Sequence, residues 1–206
     1  MKKLIFCLLL SLTVISVSAQ EKGKFRIGGN LGMTIPPYGF GGTIDLLDVR
    51  YNFLDNFNVG VKFGGAFMVR DFMQINETMG AATMHMNTNF MFVGDYYFNN
   101  GVNSFAPFVG AGYGSFRIID VYMQVRSGEQ YNYQYDDFPE TRAYAGGVIR
   151  TGFEWGKFRM ALEYYILPQT LKYDAADILR SAGSSENSYI SLNLGFYFGG
   201  GRWVKR

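Results

Sequence analysis

Apolar and polar residues alternate along most of the chain from residue 25 onward, most regularly between residues 188 and 198. One series is apolar: Ile190, Leu192, Leu194, Phe196 and Phe198. The other is more polar: Tyr189, Ser191, Asn193, Gly195 and Tyr197. Because successive side chains of a strand point to opposite faces, this pattern predicts a strand with one apolar face. A tilted strand needs about 9 to 11 residues to cross a bilayer, and a last strand in lipid must find a partner. We therefore expect it to pair with the first strand and close a barrel.

Segments of this kind recur and predict an all-β, transmembrane, antiparallel up-and-down barrel with eight strands. They lie at 25–35, 42–53, 57–69, 83–98, 104–118, 142–154, 158–169 and 188–199. Tight connections at 54–56, 99–103 and 155–157 alternate with longer ones at 70–82, 119–141 and 170–187, and the linker at 36–41 is a short exception. This alternation is typical of a membrane barrel with periplasmic turns, external loops and both termini in the periplasm.

The apolar face could look outward at lipid, or inward at the core of a soluble, lipocalin-like barrel. Glycines favour the membrane barrel, since the less apolar face carries Gly28, Gly32, Gly60, Gly64, Gly110, Gly112, Gly114 and Gly195. Small residues suit the cramped interior of an eight-stranded barrel. The same face carries sparse charges of both signs: Arg26, Asp48, Arg50, Lys62, Asp95, Arg150, Glu154, Arg159 and Glu163. We predict that these nine side chains line the lumen and neutralise one another there.

The N-terminal residues have the features of a secretory signal peptide. Lys2 and Lys3 precede an apolar run that ends in small residues at Ala19. We therefore divide the chain into a signal peptide at 1–19, a barrel at 20–201 and a short basic periplasmic tail at 202–206. The single cysteine, Cys7, lies within the signal peptide, so we expect no disulfide in the mature chain.

Charge and composition narrow the possible partners. Without Lys2 and Lys3, 17 basic residues balance 17 acidic ones. A basic surface for nucleic acid is therefore not expected. We also expect a monomer with no cofactor and no bound metal.

The signal peptide, the alternating segments, the short and long connections and the aromatic end Phe196-Tyr197-Phe198 together resemble the small outer-membrane barrels of the OmpA/OmpX type. The resemblance covers nearly all of the mature chain. It implies a place in the outer membrane of a Gram-negative cell, contact with outer-membrane lipid and insertion by the barrel-assembly machinery.

The leading functional hypothesis is a non-enzymatic structural or surface-interaction role through the external loops. A hairpin within 119–141 would present Tyr122, Tyr131, Tyr133 and Tyr135 to an extracellular protein or glycan. The alternative is a narrow passive channel for ions or small solutes, lined by the lumen charges. An eight-stranded interior is normally just filled by side chains, which disfavours the channel.

A lipid-modifying enzyme is a minor alternative. His85 is the only histidine, and no nearby serine on its strand face completes a catalytic triad by spacing. Met84-His85-Met86 also resembles a soft-metal tripeptide. In a strand, however, the two methionines point away from the histidine, so apolar packing of the methionines is the preferred interpretation.

Overall fold

Ten strands and no helix are formed by the residues that the computed structural model describes: 21–36, 39–76, 79–99, 103–126, 142–168, 170–171, 184–185 and 187–200. Among these residues no helix has the length and apolar character to cross a membrane. The strands are β1 (Phe25–Ile35), β2 (Phe40–Leu54), β3 (Phe57–Asn76), β4 (Met79–Tyr97), β5 (Phe105–Arg126), β6 (Arg142–Trp155), β7 (Phe158–Ile166), β8 (Thr170–Leu171), β9 (Ser184–Ser185) and β10 (Tyr189–Gly199). The predicted signal peptide and basic tail lie outside the described residues.

Eight of these strands form one closed antiparallel barrel, in the order β1-β10-β7-β6-β5-β4-β3-β2. The first and last strands close it, with partners running from Arg26 opposite Gly199 to Ile35 opposite Ile190. The predicted eight-stranded barrel and its closing pair are confirmed. The remaining strands, β8 and β9, come between β7 and β10 in the sequence and form a separate two-stranded sheet.

Three strands extend beyond the alternating segments at 57–69, 83–98 and 104–118. β3 and β4 remain paired as far as Asn76 opposite Met79, so the loop predicted at 70–82 is wrong: most of it is strand. β5 continues to Arg126, eight residues beyond the segment that ends at 118, as expected for the first arm of the hairpin predicted within 119–141.

The outer face of the barrel is apolar on every strand. Each barrel strand exposes at least one large apolar side chain: Leu31, Ile44, Phe63, Phe92, Val109, Ile149, Leu162 and Leu194. Soluble monomers rarely expose an apolar patch larger than a few hundred Å². The continuous outer band therefore fits hydrocarbon, and the lipocalin-like arrangement, with the apolar face inward, is wrong.

The end of the barrel with the tight turns is fixed by aromatic contacts outside and by the termini inside. Phe158 contacts Phe153 and Phe196, with ring centroids 6.5 and 5.5 Å away. The Asn52 side chain donates hydrogen bonds to the carbonyl oxygens of Glu21 and Gly200, at 3.0 and 2.9 Å. The first and last described residues of the chain are thus held together at the tight-turn end of the barrel.

The outward orientation of Leu162, at the middle of β7, gives a stability prediction. The substitution Leu162→Arg places a charge near the bilayer midplane and should lower the free energy of unfolding by about 2–4 kcal/mol. Urea unfolding of the protein folded into lipid vesicles measures the change. Leu162→Met is the control and should be close to neutral, because it keeps an apolar side chain of similar volume. Equal stability of the two variants would contradict this orientation.

Candidate functional site

Ten ionised side chains fill the interior from its middle to the tight-turn end, and we call them the charge network. Five are cations: Arg26, Arg50, Lys62, Arg150 and Arg159. Five are carboxylates: Asp45, Asp48, Asp95, Glu154 and Glu163. All ten are less than 5% exposed, and among the described residues their formal charges balance. The structure thus places all nine predicted lumen residues inside the barrel and adds a tenth, Asp45.

Asp95, on β4, is the centre of the charge network. Its Oδ1 accepts a hydrogen bond from Arg150 Nε at 2.7 Å. Its Oδ2 accepts one from Arg159 Nη1 at 2.9 Å and another from Arg50 Nη1. Gly110 lies opposite Asp95 on β5, and a Cβ at this position would collide with the Asp95 carboxylate. The glycine therefore leaves room for one carboxylate to contact three arginines.

Two further carboxylates hold the arginines nearer the tight-turn end. Asp48 accepts hydrogen bonds from Nε and Nη2 of Arg50, both at 2.6 Å, in a bidentate pair. Glu154 accepts hydrogen bonds from Arg26 Nη1 at 2.6 Å and from Arg159 Nη1 at 3.1 Å. Glu154 therefore links two cations, as Asp95 does.

Lys62 connects the last two carboxylates at the middle of the lumen. Its Nζ lies 2.8 Å from Asp45 Oδ2 and 2.7 Å from Glu163 Oε2. The Tyr165 hydroxyl accepts a hydrogen bond from Lys62 at 2.8 Å and donates one to Glu163 at 2.7 Å. Asn193 donates another to Glu163 at 3.0 Å. Lys62 is thus a buried cation with two carboxylate partners.

Asp45 is the member of the charge network that sequence reasoning missed. A register shift in the β2–β3 pairing lies between Asp45 and Leu47, and both Leu46 and Leu47 are exposed on the lipid side. This bulge lets Asp45 and Asp48 face inward although they are three residues apart. The adjacent leucines, which interrupt the alternation, are the signal that could have revealed it.

The interior toward the other end combines an apolar cluster with uncharged polar side chains such as His85, Asn87 and Asn89, and the alternation did not predict this cluster. An apolar cluster of inward side chains lies there and at mid-barrel: Ala66, Met68, Met91, Val93, Phe116, Val148, Tyr165, Leu167 and Tyr189. The rings of Tyr165 and Tyr189 stack with centroids 4.6 Å apart. The interior is therefore charged in one part, whereas apolar and uncharged polar side chains pack together in the other.

The histidine and methionine considered for metal binding point to opposite faces of β4. His85 is buried on the inner face, whereas Met86 is 43% exposed on the outer face. These two side chains therefore do not converge on one metal ion. In the described part of the chain, no group of three His, Cys, Asp or Glu side chains is placed to hold a metal ion.

The predicted tyrosine hairpin lies mostly beyond the described ranges. Tyr122 belongs to β5, where it is opposite Thr83 of β4. Tyr131, Tyr133 and Tyr135 lie outside the described residues, so their role as contacts stays a prediction.

Comparison with known proteins identifies the fold. No family model and no curated protein matches the chain. The structure is similar to that of the outer membrane protein OprG from Pseudomonas aeruginosa, with 11% sequence identity and a TM-score of 0.51 over 87% of this chain and 98% of that one.

Two further solved structures are similar. One is the N-terminal β-barrel domain of Pseudomonas aeruginosa OprF, with 14% identity and a TM-score of 0.41 over 87% of this chain and 99% of that one. The other is Ail, the attachment invasion locus protein of Yersinia pestis, with 15% identity and a TM-score of 0.35 over 86% and 99%. Because both TM-scores are below 0.5, the fold assignment depends on OprG.

The closed eight-stranded barrel, its apolar outer band and the similarity to OprG define the class of protein. The fold is that of a small outer-membrane β-barrel. The resemblance to the OmpA/OmpX type is confirmed at the level of the fold.

The position of Asp95 at the centre of the charge network gives a second stability prediction. Asp95→Asn removes the carboxylate from three buried guanidinium groups and should lower the free energy of unfolding by about 3–5 kcal/mol. Urea unfolding in lipid vesicles, followed by tryptophan fluorescence, measures the loss.

The matched control is Asp55→Asn in the exposed β2–β3 turn, for which we expect a change within about 0.5 kcal/mol. If the two variants are equally stable, the charge network contributes no more than a surface carboxylate does.

Proposed function

We propose that this protein is an integral outer-membrane protein with a non-enzymatic structural or surface-interaction role. The observation that carries the proposal is the filled interior: ten buried ionised groups and an apolar cluster occupy it. Such an interior favours a function at the ends of the barrel over a function within it. The inferred export signal at 1–19 supports a cell-surface location, reached through the barrel-assembly machinery.

The projecting part of the sheet supports a role at the external end. Pairing of β2 with β3 ends at Phe40 opposite Val69, and pairing of β5 with β6 ends at Ile118 opposite Arg142. The three strands β3, β4 and β5 stay paired beyond these points, as far as Met79 opposite Arg126. At about 3.3 Å per residue, β5 continues for roughly 25 Å past Ile118.

This projecting sheet, built from residues 70–76, 79–83 and 119–126, leads into the connection that follows Arg126. We propose that an extracellular protein or glycan binds there, with Tyr122, Tyr131, Tyr133 and Tyr135 as candidate contacts. Tyrosine suits such a role because it gives a large amphipathic contact area with few rotatable bonds.

The proposed orientation is testable by labelling single cysteines in intact cells, since the only natural cysteine lies in the inferred signal peptide. A membrane-impermeant maleimide should label Ser127→Cys, next to the projecting sheet, without permeabilisation. It should label Asp55→Cys, in the tight β2–β3 turn, only after the outer membrane is opened. The reverse pattern, or labelling of both sites in intact cells, would contradict the proposed orientation.

The filled interior also predicts the electrical behaviour of the barrel. We expect the folded protein to give no steady single-channel conductance in a planar bilayer, because side chains occupy the path that ions would take. The different gel mobilities of boiled and unboiled samples confirm folding. A steady conductance that Arg159→Ala or Glu163→Ala alters would favour the narrow channel instead and would place the function in the charge network.

A further inference from the structure

A polar patch interrupts the apolar outer face of the barrel on β4 and β5. Its members are four exposed side chains: Thr88, Tyr113, Ser115 and Arg117. Arg117 lies opposite Thr88 in the pairing of β4 with β5, and Ser115 precedes Arg117 on the same face of β5. An ionisable side chain in a membrane-spanning segment is costly, and it usually marks a functional site. The patch therefore needs an explanation that the rest of the outer face does not.

The charge of Arg117 has no partner within the described part of the protein. It is the only charged side chain on the outer face, among those that the structure describes in the barrel strands. The carboxylates described in these strands all lie inside the lumen. None of the ion pairs formed among the described residues includes Arg117. An anion from the surroundings would therefore complement this face.

The position of Arg117 along β5 places it at the external edge of the apolar band. Phe105 begins β5 at the tight-turn end, and Arg117 follows it by twelve residues. At about 3.3 Å per residue and a tilt of about 40°, this stretch rises by about 30 Å, whereas the apolar band of such a barrel is about 25 Å tall. The guanidinium group therefore lies at the level of the external lipid headgroups.

The surface beside the patch is shallow, because the neighbouring strand β6 presents small residues there. These residues are Ala143, Ala145 and Gly147. In the pairing of β5 with β6 they lie opposite Arg117, Ser115 and Tyr113, in that order.

The space over Gly147 is open. A Cβ added at Gly147 would meet only the Gly112 carbonyl oxygen, at 3.6 Å, apart from its neighbours in the chain. Tyr113 lies opposite Gly147 on one side, and Ile166 of β7 lies opposite it on the other. These two larger side chains therefore flank a shallow groove along β6, and we call it the β6 groove.

We propose that this face binds an anionic lipid of the external leaflet, with its phosphate at Arg117 and an acyl chain in the β6 groove. The planar guanidinium group matches a phosphate through paired N–H donors. The hydroxyl groups of Ser115 and Thr88 are further donors beside it. Only the choice of leaflet rests on the proposed orientation of the barrel, which cysteine labelling tests separately.

A second copy of the chain fits this face less well than a lipid does. A two-fold interface would bring the same patch to both sides of the contact. The patch contains a cation and no carboxylate, so two copies would place Arg117 near its own counterpart without a counterion. A lipid phosphate supplies the missing negative charge.

The test is native mass spectrometry of the folded protein, released from micelles that contain equal amounts of phosphatidylglycerol and phosphatidylcholine with identical acyl chains. Wild-type protein should retain phosphatidylglycerol in preference to phosphatidylcholine by about fivefold, the effect of one basic side chain at an anionic membrane surface. Equal retention of the two lipids would overturn the proposal. The gel mobilities of boiled and unboiled samples confirm folding.

Three substitutions assign the headgroup preference to Arg117. Arg117→Gln should abolish the preference for phosphatidylglycerol, whereas Arg117→Lys keeps the charge and should retain most of it. Lys24→Gln is the control, because it removes an exposed cation at the tight-turn end, and it should leave the preference unchanged. An undiminished preference in Arg117→Gln, or an equal loss in Lys24→Gln, would overturn the proposal.

Two glycine substitutions test the β6 groove. Gly147→Leu should lower the retention of both lipids, because the new side chain occupies the groove without meeting the barrel wall. Gly94→Leu is the matched control on the outer face of β4, where an added Cβ has its nearest neighbour at 3.5 Å, and it should retain lipid as the wild type does. Unchanged retention in Gly147→Leu would contradict the groove. A dimer of the wild-type protein that Gly147→Leu abolishes would assign this face to a second copy and overturn the proposal.

Discussion

The constraint on which this structure depends is that backbone groups in lipid have no water to bond. Each N–H and C=O of the membrane-spanning strands must find its partner within the sheet, so the sheet must close. The pairing of β1 with β10 meets this requirement. Closure with eight strands also fixes the interior at a width that side chains just fill. The inward glycines and the large inward side chains are both consequences of that width.

Electroneutrality is the second constraint, and it follows from the first. Ionised groups enclosed by a barrel lose most of their hydration, and each needs a partner nearby. Five cations and five carboxylates meet this condition as a connected set rather than as isolated pairs. Lys62 shows why it matters which residues belong to the charge network. Its two partners, Asp45 and Glu163, come from different strands, and Asp45 faces inward only because β2 has a bulge.

The alternation of apolar and polar residues predicted the strands, the face of the sheet that their side chains occupy and the pairing of the first strand with the last. Leu192 and Asn193 show why, since one faces lipid and the other the lumen. Three features escaped prediction for distinct reasons. Asp45 was missed because the bulge changes the phase of alternation. The ends of β3 and β4 escaped prediction because residues 70–82 do not alternate regularly between apolar and polar.

Met68 and Phe116 were missed because an interior position need not be polar when its neighbours are apolar. The ion pairs themselves could not be read from the sequence. Lys62 and Glu163 are 101 residues apart, and they meet only because the registers of several strands combine to place them across the lumen.

Tyr165 joins the two kinds of packing in the interior. Its ring stacks on Tyr189 and contacts Phe116 within the apolar cluster, while its hydroxyl bonds both Lys62 and Glu163. A phenylalanine there would keep the ring but leave Lys62 and Glu163 without a shared hydroxyl. A smaller polar residue would keep a hydroxyl but open a space beside Tyr189. Tyrosine meets both demands, so the boundary between the charged and apolar parts of the lumen depends on one side chain that belongs to each.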